Sequence, residues 1–145
     1  MRRVLLGFVA GFLATIIFHQ IVLELFHLGG LTPRGAWSMK PVPPFGVPSV
    51  ISLSFWGGVW GIILVLIFAR TRGVAYWIGS IVFGAILPTL VAAFVVAPLK
   101  HQTMPHTPAM AMLGLAVNGA WGFGTALFYR LLDSPRRRRE GSKAL

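Results

Sequence analysis

The chain has 145 residues, of which 56% are hydrophobic and 11% are charged. A soluble domain of this length carries far more surface charge, so this composition excludes an ordinary water-soluble fold and indicates a protein solvated by lipid. The chain contains no cysteine, which excludes disulfides, thiolate metal sites and cysteine nucleophiles. A net charge of +10 is compatible with nucleic-acid binding. The basic residues flank apolar segments, however, so we expect no nucleic-acid role.

Four apolar segments each approximate the ~20 residues that cross a hydrocarbon core ~30 Å thick. They are residues 4–27, 49–69, 74–98 and 109–131. Backbone polar groups in lipid must be satisfied within a segment, so each segment is predicted to be a helix. The sequence therefore predicts an all-α membrane protein, with one four-helix transmembrane domain over residues 1–133 and a basic cytoplasmic tail over 134–145. We expect the last helix to end at Pro135, which lacks a backbone N–H.

The orientation follows from the thirteen Lys and Arg residues, which divide ten to three between the two sides. The ten are Arg2, Arg3, Arg70, Arg72, Arg130, Arg136, Arg137, Arg138, Arg139 and Lys143. The three are Arg34, Lys40 and Lys100. The positive-inside rule places both termini in the cytoplasm and the loops 28–48 and 99–108 outside. The pattern resembles that of small bacterial inner-membrane proteins, and the resemblance implies a multi-pass protein of that membrane.

The second and fourth segments resemble each other, which predicts an internal repeat. One contains Gly58-Val59-Trp60-Gly61 and the other Gly119-Ala120-Trp121-Gly122. A weaker match joins residues 11–15 to residues 84–89. We therefore predict two tandem helix–loop–helix hairpins, at about 4–70 and 74–131, related by a pseudo-twofold axis along the membrane normal. Chance similarity between glycine-rich helices is the alternative.

Small residues recur four apart on three of the segments. The rows are Gly7, Gly11 and Thr15; Gly57 and Gly61; and Gly114, Asn118 and Gly122. This spacing lets helix backbones approach closely in lipid. We expect the rows to pack the bundle internally, with a contact between copies as the alternative.

Polar residues gather toward the outer end of the first segment. The candidate polar site comprises His19, Gln20, Glu24, His27 and Asn118. His19 continues the row of small residues and is expected to face the helix contacts. Glu24 is the one acid in the four segments, and its expected partner is His27, Lys40 or Lys100. The alternative is that Glu24 sits at headgroup level and reaches water. Asn118 is expected to bond across helices or to line a cavity.

The second outer loop contains His101, Met104 and His106, a donor set that suits copper. No fixed ligand spacing is met, so copper is a minor hypothesis, and no other cofactor is expected. The chain has no nucleophile motif and no carboxylate pair in the membrane, so we expect no enzyme activity. The run Arg136, Arg137, Arg138 and Arg139 suits anionic lipid headgroups.

Three functions are compatible with these residues. The first is permeation of a small solute or ion, which requires a homo-oligomer because four helices enclose little space. The second is an accessory or scaffold subunit that packs on a larger membrane complex or on lipid. The third is copper binding at the outer face. The loop 28–48, with four prolines in residues 41–48, is expected to lie on the outer surface or to turn back between the helices, and a plain rigid connector is the alternative.

Overall fold

A computed structural model describes the backbone of residues 1–99 and 107–141, and side chains as far as Ser134. Four helices are long and apolar enough to cross a membrane. They are α1 (Arg2–Leu28), α2 (Ser49–Phe68), α3 (Gly73–Leu99) and α4 (Pro108–Gly141). The predicted all-α class and the four apolar helices are confirmed. We name the first connection, residues 29–48, L1; it contains a short antiparallel pair, β1 (Pro41–Val42) and β2 (Val47–Pro48).

Local sequence explains where the helices begin and end. Gly30 adopts a φ of +72°, and the N–H groups of Gly30 and Leu31 bond to the carbonyls of His27 and Phe26. This is a Schellman motif, which requires a left-handed residue and so favours glycine after α1. At the start of α4, the Thr107 hydroxyl accepts the N–H of Met110, and proline occupies the first helical position.

The last helix is longer than expected. It continues through Pro135 to Gly141, whereas we predicted that it would end at the proline. A proline within a helix removes one backbone hydrogen bond without necessarily ending the helix, and α3 likewise continues through Pro88. The predicted tail is therefore partly helical.

Glycines bring the helices together in two pairs. Gly11 of α1 faces Gly57 and Gly61 of α2, and a methyl group added at Gly11 would collide with the Gly57 carbonyl oxygen. Gly84 of α3 faces Gly122 of α4, and a Cβ at Gly84 would lie 2.8 Å from the Gly122 Cα. The predicted rows of small residues thus lie in contacts between helices of one chain, and at Gly11 and Gly84 a methyl group does not fit.

The two pairs meet mainly through α1 and α4. The Trp121 indole of α4 donates to the Gly11 carbonyl across this contact, at 3.0 Å. The core around it contains Ala10, Ala14, Leu64, Val65, Phe83, Trp121 and Tyr129. The helices α2 and α3 contact one another near the turn that joins them, where Phe68 packs on Gly79 and Trp60 on Phe83. We call that end of the bundle the turn end and the opposite end the L1 end.

Charged side chains make contacts between helices at the turn end. Arg2 of α1 pairs with Asp133 of α4. The Arg130 guanidinium lies 4.1 Å from the Tyr76 ring centroid, and the Tyr76 hydroxyl donates to the Ala126 carbonyl at 2.8 Å. These contacts join α1, α3 and α4 where the basic residues gather.

Candidate functional site

The polar residues of α1 are arranged by a π-helical turn over Thr15–His19. Here the Gln20 N–H bonds to the carbonyls of Thr15 and Ile17 and leaves the Ile16 carbonyl without its usual donor. The turn also inserts one extra residue into the helical period. Gln20, which is 2% exposed, therefore follows Thr15 on the buried face. His19, which we expected in that position, is half-buried beside it and accepts a hydrogen bond from Gln20 Nε2 at 3.4 Å.

L1 runs back along α1 and supplies a hydrogen-bond donor to the Ile16 carbonyl, which the π turn leaves without its usual donor. The Trp37 indole N–H donates to the Ile16 carbonyl at 2.9 Å, and the Trp37 backbone N–H donates to Gln20 Oε1 at 2.8 Å. Ile16 lies twelve residues before the helix end at Leu28, which is roughly 18 Å at 1.5 Å per residue. L1 therefore lies along the side of α1, where Trp37 is 44% exposed.

Trp37 adopts a backbone conformation that is rare for a bulky residue, with φ at +47°. A side chain of this size in the left-handed region is strained and persists only where surrounding contacts hold it. The two hydrogen bonds to α1 are those contacts. They make Trp37 the residue that fixes L1 against the helix.

Two further residues of α1 hold L1 closer to the helix end. Glu24 Oε2 accepts the Ala36 N–H at 2.8 Å, and His27 Nδ1 donates to the Thr32 carbonyl at 2.9 Å. Gly35 lies against both, because a Cβ there would sit 3.5 Å from His27 Nε2 and 3.7 Å from Glu24 Oε2. We call Ile16, Gln20, Glu24 and His27 the L1 anchor.

The L1 anchor changes the interpretation of Glu24. The sequence suggested a charged partner in Lys40, His27 or Lys100, whereas the carboxylate bonds to a backbone N–H. Among the described residues Arg2 and Asp133 make the ion pair, so Lys40 does not pair with Glu24. Lys100 lies outside the described residues. Backbone groups buried beside a helix need partners, and Glu24 supplies one to Ala36.

Asn118 lies away from the L1 anchor. Its amide donates to the Thr89 hydroxyl of α3 at 2.8 Å, beside Gly114, which packs on the Thr89 side chain. The structure therefore places Asn118 in a hydrogen bond between α3 and α4 and does not bring it to His19 or Glu24. Of the two roles expected from the sequence, this position matches the bond across helices.

A shallow apolar groove of about 190 Å³ lies on α1 and is lined by Phe8, Val9, Phe12 and Leu13. The polar side chains of the L1 anchor do not line it. The residues proposed for copper, His101, Met104 and His106, lie outside the described residues. Among the residues described, no three histidine or acidic side chains are grouped to hold a metal ion.

Sequence reasoning missed Trp37, Ala36 and Thr32 as partners of the polar residues. The spacing of Glu24 and His27 did predict that these two residues share one helix face. The partners are backbone groups of L1, and no side-chain pattern marks them. Scans against protein-family models, curated proteins and solved structures found no match to the chain.

Proposed function

We propose that the chain is a multi-pass protein of the bacterial inner membrane, with both termini in the cytoplasm and L1 outside. Four helices of sufficient length and apolarity support the membrane location. The ten-to-three division of Lys and Arg in the sequence supports the orientation, and Arg2, Arg70, Arg72 and Arg130 of the ten lie at the turn end.

We further propose that the helices form two tandem hairpins with an internal twofold relation. Corresponding positions of the proposed repeats make corresponding contacts. Gly11 lies against Gly61 in the first pair, and Gly84 lies against Gly122 in the second. In the same way, Gly57 and Asn118 contribute the carbonyl oxygens that a Cβ at Gly11 or Gly84 would meet. Two matching contacts at matching positions favour a repeat over chance similarity.

The function that the geometry supports best is that of an accessory subunit that presents L1 as a fixed surface for another membrane component. The observation that carries this proposal is that Gln20, Glu24 and His27 all bond to the backbone of L1. Polar groups used in this way fix a loop and are not available to a solute. L1 also presents Phe45, 87% exposed, and Met39, 67% exposed, at its surface. Exposed apolar side chains on a fixed loop are typical of an interaction site.

Permeation through one copy is the weaker proposal. The groove on α1 is lined by apolar side chains, and Gly11, Gly61, Gly84 and Gly122, which could leave space, are in contact across helices. Permeation would therefore need an oligomer whose path lies between copies. Copper binding and the absence of enzyme activity stay predictions from the sequence.

Photo-crosslinking at the surface of L1 tests the accessory role. A photoreactive amino acid at Phe45 should form one discrete adduct in living cells, because Phe45 projects from the fixed loop. The matched control carries the same probe at Leu66, which is exposed on α2 and remote from L1. In the Phe45 probe background, Trp37→Gly should weaken the adduct, since it removes the indole bond to the Ile16 carbonyl that helps to fix L1.

Absence of any adduct at Phe45, together with solute flux through purified protein in liposomes, would replace the accessory role with permeation. An equally strong adduct at Leu66 would point to contact along the helices and would also contradict a role for L1.

A further inference from the structure

The Arg130 guanidinium of α4 is held against two aromatic rings of α3 at the turn end. Its central carbon lies 4.1 Å from the Tyr76 ring centroid and 5.8 Å from the Trp77 ring centroid. Tyr76 is itself fixed, because it is 1% exposed and its hydroxyl donates to the Ala126 carbonyl. A cation–π contact with a fixed ring restricts the arginine side chain, so its N–H groups are presented from a defined position.

No carboxylate among the described side chains pairs with Arg130. Asp133, about one helical turn farther along α4, forms its ion pair with Arg2. The arginines at this end outnumber that acid, and they are Arg2, Arg3, Arg70, Arg72 and Arg130. A guanidinium without a carboxylate in a cationic region favours an anion from outside the chain.

The position of Arg130 along α4 matches the depth of phospholipid phosphates. The helix begins at Pro108, and Arg130 lies 22 residues farther along it, or roughly 33 Å. A hydrocarbon core is ~30 Å thick, so a helix that starts at one boundary brings Arg130 to the headgroups at the other. This step rests on the proposed membrane location of the helices.

An apolar surface continues from Arg130 toward the middle of the helices. Phe123, two helical turns before Arg130, lies on the same side of α4 and is 37% exposed. Its ring centroid is 5.5 Å from that of Trp77 on α3. One turn farther, Gly119 leaves room beside α3, since the atom nearest to an added Cβ would be 3.6 Å away. We call Arg130, Trp77, Phe123 and Gly119 the α3–α4 strip.

The α3–α4 strip fits a phospholipid better than a soluble anion. A free phosphate would contact the guanidinium and leave the two aromatic rings unused. A phospholipid carries an acyl chain on the same molecule as the phosphate, so its two parts meet the cationic and the apolar parts of the strip together. The single negative charge of a phosphodiester also matches a single guanidinium.

We propose that the α3–α4 strip binds one anionic phospholipid of the cytoplasmic leaflet, with Arg130 donating to the phosphate and the acyl chain lying along Trp77 and Phe123. The planar guanidinium can donate two parallel N–H bonds to phosphate oxygens. Because the Tyr76 ring already restricts the side chain, binding orders little that was free before. The site lies at the end of the bundle opposite L1 and is independent of what L1 contacts.

Native mass spectrometry of the full chain in detergent micelles, titrated with phospholipids of identical acyl chains, tests the site. The parent protein should bind one phosphatidylglycerol at least about fivefold more tightly than phosphatidylcholine, the usual effect of one arginine near a headgroup. Arg130→Gln should remove this preference. The matched control Arg70→Gln removes the same charge at the same end, from a side chain that packs on no aromatic ring among the described residues, and should keep it.

The comparison of the two lipids on the parent protein needs no substitution and stays decisive if Arg130→Gln fails to fold. Equal binding of the two lipids would overturn the site, as would equal losses in Arg130→Gln and Arg70→Gln. Displacement of the bound lipid by inorganic phosphate would assign Arg130 to a soluble anion and would also overturn it. Labelling of Arg72→Cys in cells measures the orientation separately, so a missing lipid preference with that cysteine inside overturns the α3–α4 strip alone.

Discussion

Replacing Gly11 by alanine should lower the free energy of unfolding by about 1–3 kcal/mol, the usual cost of overpacking a tight contact. The new methyl group would collide with the Gly57 carbonyl oxygen, which belongs to the backbone and cannot rotate away. Alanine also favours the helix by about 1 kcal/mol relative to glycine, so a net loss of stability isolates the effect of the helix contact. Reversible unfolding of the purified protein in mixed micelles measures the change.

A matched glycine on α4 gives the opposite expectation. A Cβ at Gly119 would meet its nearest atom, the Ala85 Cβ, at 3.6 Å, which is ordinary van der Waals contact. Gly119→Ala should therefore leave stability unchanged or raise it by up to about 1 kcal/mol. Gly122→Ala should behave like Gly11→Ala, because its methyl group would collide with the Ser80 carbonyl oxygen. Equal effects at Gly11 and Gly119 would contradict the close approach of the helices.

Replacing Gln20 by leucine should release L1 while the helices stay folded. The Trp37 N–H would lose its acceptor, and an unsatisfied buried donor costs about 1–3 kcal/mol. Local opening of L1 should rise accordingly, so hydrogen exchange at the Trp37 amide should accelerate by roughly 10- to 100-fold. Exchange of the helix amides in α2 and α4 should stay within error of the parent protein.

A conservative change at the neighbouring anchor residue provides the control. Glu24→Gln keeps a side-chain oxygen that can accept the Ala36 N–H, so exchange at Ala36 should change little. Glu24→Leu removes that oxygen and should accelerate it. If Gln20→Leu and Glu24→Leu both gave the same exchange rates as the parent, L1 would be held by something other than the L1 anchor.

The helices could be predicted from the sequence because a bilayer demands a length and a composition that few other structures share. The glycine rows could be predicted because a contact between backbones has a fixed spacing of four. His19 illustrates where this periodicity ends, since one π turn after Thr15 moves the next buried position to Gln20. Nothing local in the sequence marks that turn.

The anchoring of L1 could not be predicted for a related reason. Glu24 and Gln20 bond to backbone groups of residues that lie twelve and seventeen positions away. Backbone donors are present at every non-proline residue, so the sequence does not identify which of them is used. The positive φ of Trp37 could not be predicted from the sequence either. Tryptophan does not favour that conformation, and only its contacts with α1 hold it there.

Labelling of single cysteines in spheroplasts tests most directly whether the four helices span the membrane with L1 outside. The cysteine-free chain allows each residue to be probed alone with a membrane-impermeant maleimide. Phe45→Cys should be labelled in intact spheroplasts, and Arg72→Cys, in the turn between α2 and α3, should be labelled only after permeabilisation. Labelling of Arg72→Cys in intact spheroplasts, or protection of Phe45→Cys there, would contradict the proposed arrangement.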